Sequence, residues 1–453
     1  MATGVNGYEK LGPDATTAAR PHRDPHPLPG DGAEVALHYP NKLLEREILS
    51  PLAASFAAVG RDGRLGHHAE IAPNAMVLSD NFYALHSLVD QGLKATLVYL
   101  DPPFCTGMEF QSRRLQHAYT DKLGEAAYTE FMRRRLVLLR EVLTDDGSIY
   151  LHIGHQMVGH LKTLMDEVFG RRGFRNLIIR RKCSSKNFTS RQYANIHDYI
   201  LFYTRSRNYK WNQPGEKPDD AWIDREYPKV DSRGRYKLVP VHAPGTRRGE
   251  TGKPWRGKDP PPGKHWQYPP SKLDELDDRG EIHWSRNGNP RRKVYLEPGK
   301  LVALTDYWSK FRDAHHQSVC ITGYPTEKNL EMLKVIISAS SDPGDLVIDP
   351  FCGSGTTLEA AHAGRRKWVG IDESFAALKA TLSRLRHGTQ TMGDYVDRKT
   401  PKPLDNAAQL FPSDEQSEPS TSTSCLSPPE FALLVDAELL DDYGDEIKEI
   451  AAI

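Results

Sequence analysis

The segment at residues 345–361 constrains the fold of this chain more than any other. Residues 346–348 form an apolar run typical of a short buried strand, residues 350–357 a loop of small residues, and residues 358–361 the start of a helix. Glycine lets the backbone of such a loop approach a ligand closely, and the helix start offers unpaired N–H groups. This order of elements predicts an α/β fold that binds a nucleotide-type ligand at the carboxyl end of a strand.

The details of the loop disfavour two common ligands of this type. Leu358 stands where dinucleotide oxidoreductases carry a third glycine, and the Lys-Ser/Thr ending of a phosphate-binding loop is absent. A further strand, Lys367–Asp372, ends in an acid that is placed to accept hydrogen bonds from ribose hydroxyls. Nicotinamide cofactors and ATP are therefore weak candidates.

A second pattern, Asp101-Pro102-Pro103-Phe104, directly follows the apolar strand Ala95–Leu100. The two prolines fix the backbone and donate no N–H, so the neighbouring carbonyl groups are held in place. A planar base lying against Phe104 would present its exocyclic amine to the Asp101 carboxylate and the Pro102 carbonyl. The pattern predicts an amine-binding site, and a strand followed by a proline-rich turn is the structural alternative.

Together, these patterns resemble the amino-group DNA methyltransferases that use S-adenosylmethionine. The similarity covers residues 74–205 and 322–386, with nearly intact motifs at 101–104 and 349–357. The catalytic motif precedes the cofactor motif, as in the permuted beta order of type III modification subunits. The resemblance implies an α/β, class I methyltransferase fold, Rossmann-like, with a seven-stranded, mostly parallel sheet and a target-recognition region inserted between its halves.

The resemblance also implies roles for individual residues. S-adenosylmethionine would lie on the loop at 349–355, with its ribose against Asp372, and a flipped base would stack on Phe104. Asp101 and the Pro102 carbonyl would accept the amine hydrogens, and Pro103 completes the catalytic motif. Asp80 and Asn81 would lie near the adenine, and Thr326 and Lys328 near the methionine end. The other implied cofactor-binding residues are Asp349, Phe351, Gly353, Ser354, Gly355 and Thr356.

Adenine N6 is the predicted target because the catalytic motif begins with Asp, whereas relatives that act on cytosine N4 more often begin with Ser. Cytosine N4 remains an alternative. A second alternative is a catalytically idle DNA-binding subunit, which the intact Asp101 and cofactor loop disfavour. A third is an RNA or protein methyltransferase, whose related motifs usually begin with Asn.

Charge is balanced over the whole chain but not along it. The 60 basic and 60 acidic residues give a formal net charge of zero, so no overall field favours a polyanionic partner. Residues 171–191 nevertheless contain eight basic and no acidic side chains. This run predicts phosphate contacts with double-stranded DNA, and a solvated basic face is the alternative. The predicted DNA-binding residues are Arg180, Arg181, Lys182 and Lys186.

The five cysteines are scattered without a Cys-x-x-Cys pair, which disfavours a zinc site and favours a reducing compartment. No apolar run approaches the length of a membrane span, and the amino terminus is unlike a signal peptide. We therefore expect a cytoplasmic protein with no metal and no membrane partner. A homodimer and an association with restriction or defence subunits are left open.

Composition divides the chain into five segments. We expect a flexible arm at 1–39, the catalytic half at 40–205, the target-recognition insertion at 206–304, the cofactor-binding half at 305–395, and a polar linker with an acidic tail at 396–453. The insertion is rich in basic, amide and aromatic side chains that can contact base edges and phosphates, although a merely structural insertion is the alternative. Residues 431–453 are expected to form an acidic amphipathic helix.

Overall fold

The structure of the protein is a computed structural model. It describes residues 35–60, 64–66, 68–104, 109–111, 117–120, 124–183, 191, 193–313, 320–321, 327–388, 390–391, 430–440, 443–444 and 446–447. Several sequence predictions fall outside these residues, namely most of the amino-terminal arm, the polar linker, Lys186 and Thr326.

The predicted catalytic half contains four helices in its described part, α1 (Glu45–Ile48), α2 (Asn81–Asp90), α3 (Glu125–Val142) and α4 (Val158–Phe169). A 3-10 turn at Arg171–Gly173 follows α4. Its strands are β1 (Phe56–Val59), β2 (Ala75–Leu78), β3 (Ala95–Leu100), β4 (Glu109–Gln111), β5 (His117–Thr120), β6 (Leu143–Ile153), β7 (Phe174–Arg181) and β8 (His197–Thr204).

The insertion and its return to the sheet contain short strands and two helices, α5 (Asp220–Glu226) and α6 (Pro270–Asp278). The strands are β9 (Gly215–Glu216), β10 (Lys229–Asp231), β11 (Gly234–Pro240), β12 (His242–Pro244), β13 (Lys264–Trp266), β14 (Ile282–Trp284), β15 (Pro290–Tyr295), β16 (Val302–Ala303) and β17 (Tyr307–Trp308), with a 3-10 turn at Glu250–Gly252.

The predicted cofactor-binding half contributes α7 (Leu330–Ser340), α8 (Thr356–Ala363) and α9 (Phe375–His387). Its strands are β18 (Cys320–Ile321), β19 (Leu346–Asp349), β20 (Lys367–Asp372) and β21 (Gln390–Thr391). A last strand, β22 (Ala432–Asp436), precedes a 3-10 turn at Ala437–Leu439. Helix α8 begins two residues earlier than the sequence pattern predicts, directly after Gly355.

Side-chain caps determine where several of these helices begin. Asp80 accepts a hydrogen bond from the backbone N–H of Phe82 at the start of α2. Asn329 caps α7 in the same way, and Ser374 caps α9. Because the first N–H groups of a helix have no partner within it, such caps stabilise the helix start. Asp80, a predicted cofactor residue, therefore also has a local structural role.

One ten-stranded sheet organises the molecule, in the order β1-β22-β2-β20-β19-β3-β6-β8-β7-β17. Strands β1 and β8 run antiparallel to the others. Seven strands, from β2 to β7, form the centre of this sheet, as the resemblance implies, so the predicted α/β fold with a mostly parallel sheet is confirmed. Three edge strands that the sequence did not reveal, β1, β22 and β17, extend it.

Helices cover both faces of the sheet, and alternate side chains of each strand point to opposite faces. In β3, Val98 and Leu100 pack in the cluster that includes residues of α2, α3 and α4, whereas Leu97 and Tyr99 pack with residues of α7, α8 and α9. Burial on both sides explains why β3 is apolar along its whole length. In the described ranges, no helix is long and apolar enough to cross a membrane.

The insertion leaves and rejoins the catalytic body beside the two-stranded pairing of β9 with β16. It has its own four-stranded antiparallel sheet, in the order β10-β11-β15-β14. Its core is separate from the two cores of the main sheet and consists of Val241, Trp255, Trp266, Leu273, Leu276 and Ile282. The predicted interruption at 206–304 thus contains a folded unit with its own core.

The expectation of a helix over 431–453 is wrong at its beginning. Residues 432–436 form β22, which pairs with β1 on one side and β2 on the other. Leu433, Leu434 and Val435 are buried there, and Asp436 accepts a hydrogen bond from the Ser79 hydroxyl at 2.8 Å. The acidic residues suggested a solvated tail. The apolar run at 433–435 instead pairs its backbone with β1 and β2 and buries its side chains in the sheet.

Candidate active site

Asp101 lies directly after β3, where parallel strands present their carboxyl ends. Its Oδ2 is 2.9 Å from the Lys328 ammonium group. Its Oδ1 is buried and has no hydrogen-bond partner among the described residues. An unpaired buried acceptor costs free energy, so this oxygen is suited to accept a hydrogen bond from a ligand.

The rest of the catalytic motif is held rigidly beside this carboxylate. The Pro103 carbonyl accepts a hydrogen bond from the Tyr128 hydroxyl at 2.6 Å. The Phe104 ring lies with its centroid 5.1 Å from the Lys328 Nζ atom. A Cβ atom at Gly154 would come within 3.1 Å of the Phe104 ring, so a glycine there leaves room for the aromatic side chain. The motif thus combines an open acceptor with a fixed aromatic face.

The predicted cofactor loop follows β19 on the neighbouring strand. Gly353 and Gly355 have φ angles of 50° and 73°, a region that glycine adopts without strain. Asp349 accepts a hydrogen bond from the Phe351 N–H at 3.0 Å. Thr381 of α9 donates to the Gly353 carbonyl at 2.8 Å. Local turn chemistry and α9 together fix the shape of this loop. Ser354 and Thr356 are buried within it.

Asp372, predicted to bind a ribose, ends β20 and holds the loop itself. Its Oδ2 accepts the Gly353 N–H at 2.8 Å, and its Oδ1 accepts the Ser374 N–H at 2.9 Å. A carboxylate oxygen can accept more than one hydrogen bond, so the ribose contact stays a prediction. The structure adds an anchoring role that the sequence motif did not reveal.

Asn81 contacts the predicted cofactor loop directly, and a buried arginine holds Asp80 and Asn81 in place. The Asn81 amide donates to the Pro350 carbonyl at 2.6 Å. Arg135 of α3 donates to Asp80 at 2.7 Å and also to Asn81, and its guanidinium carbon lies 3.4 Å from the centroid of the Phe131 ring. The sequence pattern did not single out Arg135, because it is one of three consecutive arginines at 133–135, and such a run is typical of a solvent-exposed helix face. Its position one turn from Phe131 on an apolar face was the available signal.

A cleft of about 690 Å³ opens beside Asp80. It combines aromatic rings with charged groups of both signs, as small-molecule sites commonly do. The residues that line it are Pro40, Asn41, Asp80, Phe82, Tyr83, Ala126, Ala127, Glu130, Phe131, Arg134 and Arg135.

Buried carboxyl groups give this region an unusual protonation state. Burial raises the pKa of Asp349 to about 7, and the charges of Asp101 and Asp372 act in the same direction. Burial also raises the pKa of Asp372 to about 6. Glu373, which sequence reasoning did not single out, has a raised pKa because of burial and the charge of Asp80. Ionising several neighbouring buried acids costs free energy, and a bound cation lowers this cost, so the region favours a cationic ligand.

Arg180, predicted to contact phosphate, lies in a buried ion pair that disfavours this contact. Its side chain is only 1% exposed, and its guanidinium group makes two hydrogen bonds of 2.8 Å to the buried Asp198. It pairs with Asp313 as well. The acid partners lie far along the chain, so the local run of basic residues could not show them. Arg181 and Lys182, in contrast, are partly exposed.

The chain is similar in sequence to known methyltransferases. The family described as DNA methylase matches residues 95–382. The type II methyltransferase M.EcaI of Enterobacter cloacae is 57% identical over 397 residues, which cover 88% of this chain and 87% of that protein. The StyLTI Mod subunit, a type III restriction-modification enzyme of Salmonella typhimurium, is 26% identical over 330 residues, or 64% of this chain and 50% of that protein. The DNA adenine methyltransferase YhdJ of Escherichia coli is 50% identical over 81 residues, 17% of this chain and 28% of that protein.

Proposed function

Because the chain belongs to the DNA methylase family, we propose that it methylates adenine N6 at a defined sequence in double-stranded DNA, in a restriction-modification or phage defence system. S-adenosylmethionine is the cofactor. The observation that carries the proposal is the state of Asp101, which has one oxygen paired with Lys328 and the other buried and open.

The residues around Asp101 explain how an amine is activated. A flipped base that stacks on Phe104 brings its amino group to the open Oδ1 atom, and the Pro102 carbonyl serves as the second acceptor. Hydrogen bonds to these acceptors turn the nitrogen lone pair away from the ring. When bound, S-adenosylmethionine supplies the methyl group to this nitrogen. The rate enhancement then comes from orientation and from carboxylate charge near the developing cationic amine.

The cofactor fits the residues present. The loop at residues 349–355 offers backbone groups, and Asp80 with Asn81 forms a polar edge that Arg135 holds in place. The raised pKa values of Asp349 and Asp372 favour a ligand that carries a positive sulfonium group. Lys328 lies at the catalytic carboxylate, and its predicted contact with the methionine end of the cofactor is retained as part of the proposal.

Adenine is favoured over cytosine by the first residue of the catalytic motif, Asp101. The similarity to the adenine methyltransferase YhdJ supports the same choice. Cytosine N4 is the alternative, since the same two acceptors serve either amine. For DNA recognition we propose the insertion, whose separate folded core can present side chains to base edges, together with phosphate contacts from Arg181 and Lys182.

The product decides between the two bases. We expect DNA treated with the enzyme and S-adenosylmethionine to contain N6-methyladenine at one short sequence. Hydrolysis to nucleosides and separation by mass measures this directly, and an Asp101→Ala enzyme serves as the matched control. N4-methylcytosine as the sole product would contradict the adenine choice, and methylation of RNA alone would contradict the substrate class.

The buried acids predict how cofactor affinity depends on pH. Asp349 and Asp372 ionise with pKa values of about 7 and about 6, so both carry negative charge only above this range. We expect the preference for S-adenosylmethionine over S-adenosylhomocysteine to grow as the pH rises through it, because only the first has a cationic sulfur. Calorimetric titration of both ligands at several pH values measures the ratio. A ratio that does not change with pH would show that these carboxyl groups do not sense the sulfonium charge.

A further inference from the structure

We propose that His152 is a positioning residue for Asp101, held as a neutral imidazole by Tyr99 and Asp198 so that the Asp101 Oδ1 atom stays open for the substrate amine. This inference deepens the proposed amine methylation and rests on it. His152 lies on β6, the strand next to β3 in the sheet. No part of the catalytic or cofactor motifs contains it.

The contacts of His152 place it directly behind the catalytic carboxylate. Its side chain is fully buried. Its Nδ1 atom is 2.8 Å from the Tyr99 hydroxyl and 4.0 Å from Asp101 Oδ1. Its Nε2 atom is 3.0 Å from Asp198 Oδ2, and its ring centroid is 5.8 Å from that of Phe104. The ring therefore contacts both functional groups of the catalytic motif from inside the sheet.

These contacts select one tautomer of the imidazole. Asp198 accepts two hydrogen bonds from Arg180. The adjacent His152 ring and the charge and hydrogen bonds of Arg180 keep the pKa of Asp198 far below its usual range in spite of burial. An ionised Asp198 is an acceptor only, and its negative charge 3.0 Å away favours the ring proton on Nε2, although this N–H makes no hydrogen bond of good geometry. Nδ1 is then the unprotonated nitrogen, and it accepts the Tyr99 hydroxyl hydrogen. In this state Nδ1 donates nothing to Asp101.

The groups that face His152 set its charge. Tyr99 and Asp101 face it from β3 and its end, Asp198 from β8, and Lys328 from the segment before α7. Arg180 of β7 reaches it through Asp198, and Asp313 through Arg180. Burial lowers the pKa of His152, Lys328 acts in the same direction, and Asp198 and Asp101 oppose them. The ring is therefore neutral at neutral pH.

Protonation of His152 would remove the acceptor that the reaction needs. Nδ1 would then carry a proton and a positive charge 4.0 Å from Asp101 Oδ1, and the two would form an ion pair. Turnover is therefore expected above the pKa of His152 and is lost as the pH falls through it. A histidine that only filled space in the core would have no such effect on turnover.

Two variants test this role by different routes. His152→Gln removes the titrating ring, and Tyr99→Phe removes only the hydroxyl that occupies Nδ1. By analogy with residues that orient metal ligands, we expect both to lower kcat by about 10–100-fold, with little change in KM for DNA or in cofactor affinity. In Tyr99→Phe the free Nδ1 can take up a proton more easily, so the fall of kcat at low pH (the acid limb) should begin at a higher pH. In His152→Gln the fall of kcat that comes from protonation of His152 should disappear.

His86→Gln is the matched control. His86 is also a buried histidine, on α2, and packs edge-on against Phe82 with ring centroids 4.7 Å apart. We expect kcat of the His86→Gln enzyme to depend on pH as it does in the wild type. Thermal melting shows whether each variant folds. If His152→Gln does not fold, the nearly isosteric Tyr99→Phe decides alone.

The proposal is overturned if the folded His152→Gln and Tyr99→Phe variants keep the wild-type kcat and its pH dependence. It is also overturned if His86→Gln lowers kcat and shifts its pH dependence as these two variants do. A loss seen only in KM or cofactor affinity would also overturn it, because that result assigns His152 to binding. Failure of the proposed function is distinguishable, since the wild-type enzyme would then methylate no DNA amine at all.

Discussion

Asp101→Ala is expected to lower kcat by about 10²–10³-fold, the usual effect of removing one oriented group that stabilises a transition state. The variant loses the open Oδ1 acceptor and also the partner of Lys328. Cofactor affinity should change little, because the loop at residues 349–355 is held by Asp372 and Thr381 instead. Single-turnover methylation and equilibrium titration of S-adenosylmethionine measure the two quantities separately.

Asp145→Ala provides the control for this experiment. Asp145 is exposed in β6 and should leave both kcat and cofactor affinity unchanged. Near-normal turnover by Asp101→Ala would show that Asp101 has no role in the methyl transfer. A parallel loss of cofactor affinity would instead show that the ion pair with Lys328 shapes the cofactor site.

Arg180→Ala is expected to lower the free energy of unfolding by about 3–5 kcal/mol, because it leaves the buried Asp198 without its cationic partner. Arg181→Ala, its neighbour in sequence, should change stability by less than about 0.5 kcal/mol. For DNA binding we expect the reverse, with an effect from Arg181 and none from Arg180. Loss of Arg181 should flatten the plot of log affinity against log salt by about one unit, and loss of Arg180 should not.

Urea denaturation and DNA binding over a range of salt concentrations measure both effects on the same two variants. A stable Arg180→Ala protein with a flatter salt dependence would mean that Arg180 leaves Asp198 when DNA binds. Equal salt slopes for the wild type and Arg181→Ala would assign Arg181 to the solvated basic face.

The parts of the site that sequence analysis predicted are those encoded in short segments. Asp101 and Phe104 follow an apolar strand directly, and Gly353 and Gly355 lie in a loop between a strand and a helix. In such cases the neighbouring residues determine the local conformation, and the rule that ligands bind at the carboxyl ends of parallel strands brings the two segments together. The central seven strands were predictable for the same reason.

The parts that sequence analysis missed depend on contacts between distant residues. Arg180 reads as one member of a basic run until Asp198 and Asp313 are placed beside it. Arg135 becomes a site residue only when Asp80 and Asn81 approach it from another strand and helix. Charge on a side chain is visible in a sequence, but the position of its partner depends on tertiary structure, which short patterns do not contain.

The place of β22 in the sheet has a consequence for biosynthesis. Strand β22 separates β1 from β2, although some 370 residues lie between β1 and β22 in the chain. Domains generally fold from the amino terminus during synthesis. A ribosome that has translated both sequence motifs has therefore not yet made the strand that bonds to Ser79, next to the proposed cofactor residues Asp80 and Asn81. We conclude that β22 joins the sheet beside β2 only after translation has passed residue 436, when both sequence motifs have already been made.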